Sequence, residues 1–106
     1  MIEYIYGTFE DQQLEDNFTD LGKQIFNCLI KKEQNDENIE FFIQSLLYRM
    51  GGLNTLLGAP PELITAMSLL EQAKSESNFK MFRKSILDAC GIMYHLSQKV
   101  SVNHEH

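Results

Sequence analysis

Apolar residues recur along most of this chain at steps of three and four, the spacing that gathers side chains on one face of an α-helix. Between Glu10 and Glu33 they fall at Leu14, Phe18, Leu21, Ile25, Cys28, Leu29 and Ile30, which predicts a first helix with that stripe turned inward. Glu10, Asp11, Glu15 and Asp16 stand at its start and Lys31 and Lys32 at its end, the order of charge that a helix dipole favours. The polar turn K-E-Q-N-D-E-N follows, with Asn35 or Asp36 placed to cap what comes next. A second helix is predicted over 37–50, with Ile39, Phe42, Ile43, Leu46, Leu47 and Met50 inward. Gly51 and Gly52 each lower helix propensity by ~1 kcal/mol and are expected to end or bend it, leaving room for one further turn over 53–57.

Pro60-Pro61 rules out a continuous helix, because proline lacks the N–H donor and bars the preceding residue from helical geometry. Pro61 suits the first position of a third helix over 61–74, with Leu63, Ile64, Met67, Leu70 and Ala73 inward. Ser77 is placed to cap a fourth over 78–99, whose inward residues are Phe79, Phe82, Ile86, Cys90, Met93, Leu96 and Val100. Residues 101–106 read as a flexible tail. The opening M-I-E-Y-I-Y-G is strand-like in propensity, but no second strand pattern is evident, so an extended arm is expected. The prediction is therefore an all-α antiparallel four-helix bundle, one domain over 1–100, with an extended N-terminal arm and an apolar Gly/Pro corner at 51–61. That corner is too hydrophobic to hang in solvent.

Charge narrows the partners. The formal net charge is −6, and it is unevenly placed: residues 1–40 hold ten acidic and three basic side chains, residues 41–106 five acidic and six basic. A field of this sign repels phosphate backbones. No apolar run approaches the ~18 residues that a membrane span requires, and Met1–Gly7 lacks the pattern of a signal peptide, so a cytoplasmic protein is expected. Cys28 and Cys90 lie within helical patterns, where they read as small core residues rather than as a disulfide.

Catalytic and metal chemistry find little support. There is no C-x-x-C, H-E-x-x-H or E-x-x-H spacing, and His104 and His106 lie on the tail, so no metal or other cofactor is expected. Asp88, Tyr94 and His95 share the last helix, but Asp88 and His95 are two turns apart, roughly 10 Å, too far for a direct hydrogen bond. Gly51-Gly52 lacks the lysine and strand of a phosphate loop. Lys80, Arg83 and Lys84 beside Phe79 and Phe82 form a basic patch of three charges, few for DNA recognition.

Surface for a protein partner remains. Phe26, Phe41, Tyr48 and Tyr94 fall off the main stripes, and Leu53, Leu56 and Leu57 crowd the corner; these seven are the candidate partner-binding residues. Gly22 and Gly91 offer points where the first and last helices could approach closely. The expected function is a non-enzymatic interaction module, a regulator, inhibitor or adaptor, that engages another protein or a second copy of itself. The alternatives are a DNA-binding regulator using the third and fourth helices, and a ligand-binding bundle. The ligand site would be a cavity lined by Leu53, Leu56, Leu57 and Met67, with Asn54, Tyr48 or His95 as its polar group.

Overall fold

A computed structural model describes the backbone of residues 2–4, 7–9 and 11–104 and the side chains of residues 12–100. Four helices, α1 (Asp11–Glu33), α2 (Ile39–Leu56), α3 (Pro61–Lys74) and α4 (Phe79–His104), follow two short strands, β1 (Ile2–Tyr4) and β2 (Gly7–Phe9). Near the N-terminus, residues 2–4 and 7–9 are extended. β1 pairs antiparallel with β2 in the register Ile2 to Phe9 and Tyr4 to Gly7, supplying the second strand that propensity alone did not reveal in G-T-F.

The helices alternate in direction and close a ring, because each neighbouring pair is joined by contacts that run in opposite senses along the chain. Arg49 on α2 donates to Asp20 and Asn17 of α1 at 2.7 and 3.3 Å. Lys74 on α3 donates to Gln44 of α2 at 2.8 Å, and Lys99 on α4 stands 3.5 Å from Glu62 of α3. The ring closes between α1 and α4, the most extensive packing in the molecule, where the Thr19 and Ser97 hydroxyls hydrogen-bond at 2.8 Å and the Cys90 thiol donates to the Gly22 carbonyl at 3.3 Å. The long dimension, 43 Å, is close to the ~39 Å of a 26-residue helix, so α4 sets the length of the bundle.

Local sequence explains where the helices stop. α1 ends with Asn35 at φ 55°, its N–H bonded to the Lys32 carbonyl and that of Asp36 to Lys31. α2 ends the same way: Gly58 at φ 79° bonds Thr55, and Ala59 bonds Asn54. Both are Schellman motifs, in which one left-handed residue lets two backbone donors satisfy the last helical carbonyls. The caps differ from the expected ones. Asn38 precedes α2 without a side-chain cap bond, while Asp36 accepts from the Asn38 N–H at 2.8 Å. Asn78, not Ser77, caps α4 through a bond from the Met81 N–H, since α4 starts one residue later than the pattern suggests.

The stripes meet in one core, with Leu21, Ile25, Met50, Leu63, Ile86 and Met93 fully enclosed. α2 does not end at Met50. It runs unbroken through Gly51 and Gly52 to Leu56, because Leu47, Met50 and Leu53 bury on both sides of the glycine pair, and each is worth ~2 kcal/mol of burial against ~1 kcal/mol per glycine. The corner is consequently a four-residue turn at 57–60. α4 likewise continues past Lys99 to His104. Three residues expected to point inward, Ile30, Ile64 and Phe79, are exposed instead. Each sits next to a residue that owns the core position, or at a helix end beyond the last layer.

Candidate functional site

The outer face of α2 is the most exposed apolar surface among the described residues. Phe41 and Tyr48 are 78% and 77% exposed, far above Phe26 at 46% or Tyr94 at 37%. They are seven residues apart, two helical turns, and so stand on one side of α2. Ser45 and Gly52 continue that row and are exposed as well. Its position follows from the fold: α2 turns Ile43, Leu46, Leu47, Met50 and Leu53 into the core, which leaves 41, 45, 48 and 52 outside.

Beside this row, α2 and α3 diverge around an open groove of about 780 Å³. Tyr48, Gly51 and Gly52 form one side, Ile64, Met67 and Ser68 the other. Neither glycine carries a side chain to fill the space. A Cβ on Gly52 would meet nothing within 4 Å, and one on Gly51 only the Met67 methyl at 3.8 Å. Gln44 and Glu71 also line the groove, and Lys74 bonds to both, at 2.8 and 3.0 Å. Asn54 also lines the groove, and its buried Oδ1 has no hydrogen-bond partner among the described residues. An unpaired buried acceptor costs ~1–3 kcal/mol, so this oxygen would gain from any donor brought to it.

The corner leucines behave differently from the aromatics. Leu53 belongs to the core, Leu56 and Leu57 are half-buried, and none of the three lines the groove. Of the expected ligand cavity only Met67, Asn54 and Tyr48 are present in the groove, with His95 exposed elsewhere on α4. The row pattern singles out Phe41 and Tyr48 but misses Ser45 and Gly52, which share their side of α2, and Ile64, which faces Gly52 across the groove. Ile64 looked like core because it follows Leu63. The 3-4-3 spacing of Leu63, Ala66, Leu70 and Ala73, all buried, was the available signal that Ile64 lies off the stripe.

A second apolar patch lies along the seam of α1 and α4. Phe26 and Ile30, one turn apart, are exposed on α1, and the Tyr94 ring covers Gly22, where a Cβ would stand 3.1 Å from the ring. Gly22 thus permits the close approach that its size suggested. Gly91 faces open space instead.

The remaining candidates are not brought together. Asp88 pairs with Lys84 at 3.3 Å, one turn away, and not with His95. Phe82 of the basic patch is core, and the Lys32 ammonium lies 5.0 Å from its ring centre. Among the described residues no three His, Cys, Asp or Glu side chains gather as a metal site. Cys28 and Cys90 are free and buried; burial pushes the Cys28 thiol up to about 12 and that of Cys90 in the same direction, which keeps both protonated and weakly nucleophilic at neutral pH. Asp20 is held below the usual carboxylate range, first by its hydrogen bond from Arg49, but the pair is exposed and contributes little. No described helix is long and apolar enough to cross a membrane. No protein-family model, curated protein or solved structure matches this chain.

Proposed function

We propose that this chain is a non-enzymatic protein-interaction module, a small cytoplasmic regulator, inhibitor or adaptor, that docks on a partner protein through the outer face of α2. The observation that carries this reading is the pair Phe41 and Tyr48, each more than three-quarters exposed on one side of a single helix. Burying both rings would remove roughly 300 Å² from water, ~7 kcal/mol gross at ~25 cal/mol/Å². That is enough to matter against an association cost of ~4–15 kcal/mol. Aromatic anchors beside a groove are the common form of an interaction hot spot, and two buried thiols are in keeping with a reducing compartment.

Affinity capture from the native host's lysate tests the reading, with the intact chain run beside Phe41→Ser/Tyr48→Ser and, as a control of equal severity, Phe26→Ser/Tyr94→Ser. The expected result is a partner retained by the intact chain and the control but lost with the α2 variant. A partner lost only with the control would move the docking face to the α1–α4 seam and contradict the proposal.

A second reading is favoured by Asn54: a small apolar ligand with one hydrogen-bond donor would fit the groove and satisfy its Oδ1. The groove is open along its length, which suits a macromolecular occupant better than an enclosed small molecule. Ligand-induced thermal stabilisation that disappears in Asn54→Leu would support this second reading.

A further inference from the structure

Gly52 poses a question that the chain's own packing does not answer. A mid-helix glycine costs ~1 kcal/mol relative to alanine, yet a side chain at this position would meet no atom within 4 Å. The chain's own packing gives no reason for the missing side chain. The row on which it stands, Phe41, Ser45, Tyr48, Gly52, has the 4-3-4 spacing of a helix-pairing seam. All four positions are exposed, and they alternate large, small, large, small.

We infer that the occupant is a second copy of this chain, docked α2 against α2 in antiparallel fashion about a two-fold axis level with residues 46 and 47. Pairing of this kind is isologous: if one position meets another, the reverse contact follows by symmetry. About that axis position 41 meets 52 of the other copy, and 45 meets 48. Every large side chain then faces a small one. Phe41 enters the groove over Gly52, between Tyr48, Ile64 and Met67, while Ser45 leaves room for Tyr48. A parallel in-register pair would set Phe41 on Phe41 and Gly52 on Gly52, with a clash at one end and a void at the other.

Electrostatics points the same way. Two chains of net charge −6 repel unless they meet on a neutral face, and the row 41, 45, 48 and 52, with Gln44 and Thr55 beside it, carries no charge. α2 holds only Glu40 and Arg49, and Arg49 is engaged by Asp20 on α1. Antiparallel helices also set opposite dipole ends together. Gly91 has the same open space, but the face around it carries the Lys84–Asp88 ion pair and offers no complementary knob. α2 is ~27 Å long, so the interface lies near the small end of those that hold specifically, roughly 1,000 Å² in total. An interface of that size suits a weak, reversible dimer.

The inference rests on the reading of the α2 face as a docking surface, and two variants test it separately. Gly52→Leu fills the hole at an exposed helical position that favours leucine over glycine, and a helical circular dichroism spectrum like that of the intact chain checks that the fold survives. Sedimentation equilibrium should show dimerisation of the intact chain, weakened about tenfold or more in that variant. Mixing Ser45→Cys with Tyr48→Cys and adding a short bis-maleimide should cross-link the two chains faster than either variant alone, the buried native thiols staying unreacted. A chain that stays monomeric, a dimer indifferent to Gly52→Leu, or cross-links formed best by Ser45→Cys alone would overturn antiparallel self-pairing. A monomer that still captures a partner through Phe41 and Tyr48 would overturn the self-pairing alone and leave the interaction reading in place.

Discussion

Gly58 and Ala59 both take positive φ, 79° and 60°, in the turn that ends α2. Glycine adopts this conformation without penalty, whereas any other residue pays for its Cβ. Gly58→Ala is therefore expected to lower stability by ~1 kcal/mol, read as a shifted urea midpoint at unchanged slope. Ala59→Gly should change little, because relief of strain is offset by a freer unfolded chain. Cys28 supplies a pH signature. Burial raises its pKa from the ordinary 9.0 to about 12, so the folded state holds the proton that the unfolded chain releases first. Its contribution is fully present below about pH 9 and is lost as pH rises toward 12. Stability should fall over that window, and less steeply in Cys28→Ala; equal slopes in the two proteins would contradict the assignment. Gly58 was legible as a turn residue from its neighbours. Ala59 was not, since alanine has no preference for the left-handed region.

Helices were readable as elements wherever burial and propensity agreed. α1 and α3 begin and end within a residue or so of their predicted bounds, because apolar spacing, charge order and proline placement all point to the same limits. α2 was misread at its C-terminal end, where propensity and burial compete: the glycine pair argues for a stop, and the buried Leu53 on the far side argues for continuation and wins. The exposed row 41, 45, 48, 52 was legible only in its aromatics, since a serine and a glycine on a polar face give no hydrophobic signal. If Gly52 is kept for an outside partner, its replacement should benefit the isolated chain. Gly52→Ala is expected to raise stability by ~1 kcal/mol at concentrations too low for association, measured by thermal unfolding. Destabilisation would mean that the glycine serves the chain's own fold.

At the scale of the whole molecule, one ring of four helices encloses one core, and the acidic N-terminal third leaves α2 as a neutral flank. Leu21 and Ile86, both fully buried, lie on α1 and α4, the helices that pack most extensively together. Leu21→Asp or Ile86→Asp would place an unpaired carboxylate in that core at a cost of several kcal/mol, a large part of the ~5–15 kcal/mol that holds a domain folded. Loss of the helical circular dichroism signal is expected for both, whereas Tyr48→Ala should keep it. The most direct test of the α2 face as the surface by which this chain meets protein, its own copy included, is an amide NMR dilution series from about 1 mM to about 10 μM, a range that brackets a weak dimer. Shifts that change with concentration at residues 41, 45, 48, 52 and 64, with Phe26, Ile30 and Tyr94 unmoved, are the expected outcome. Changes confined to the α1–α4 seam would contradict the α2 face as the docking surface, and a spectrum independent of concentration would contradict self-pairing.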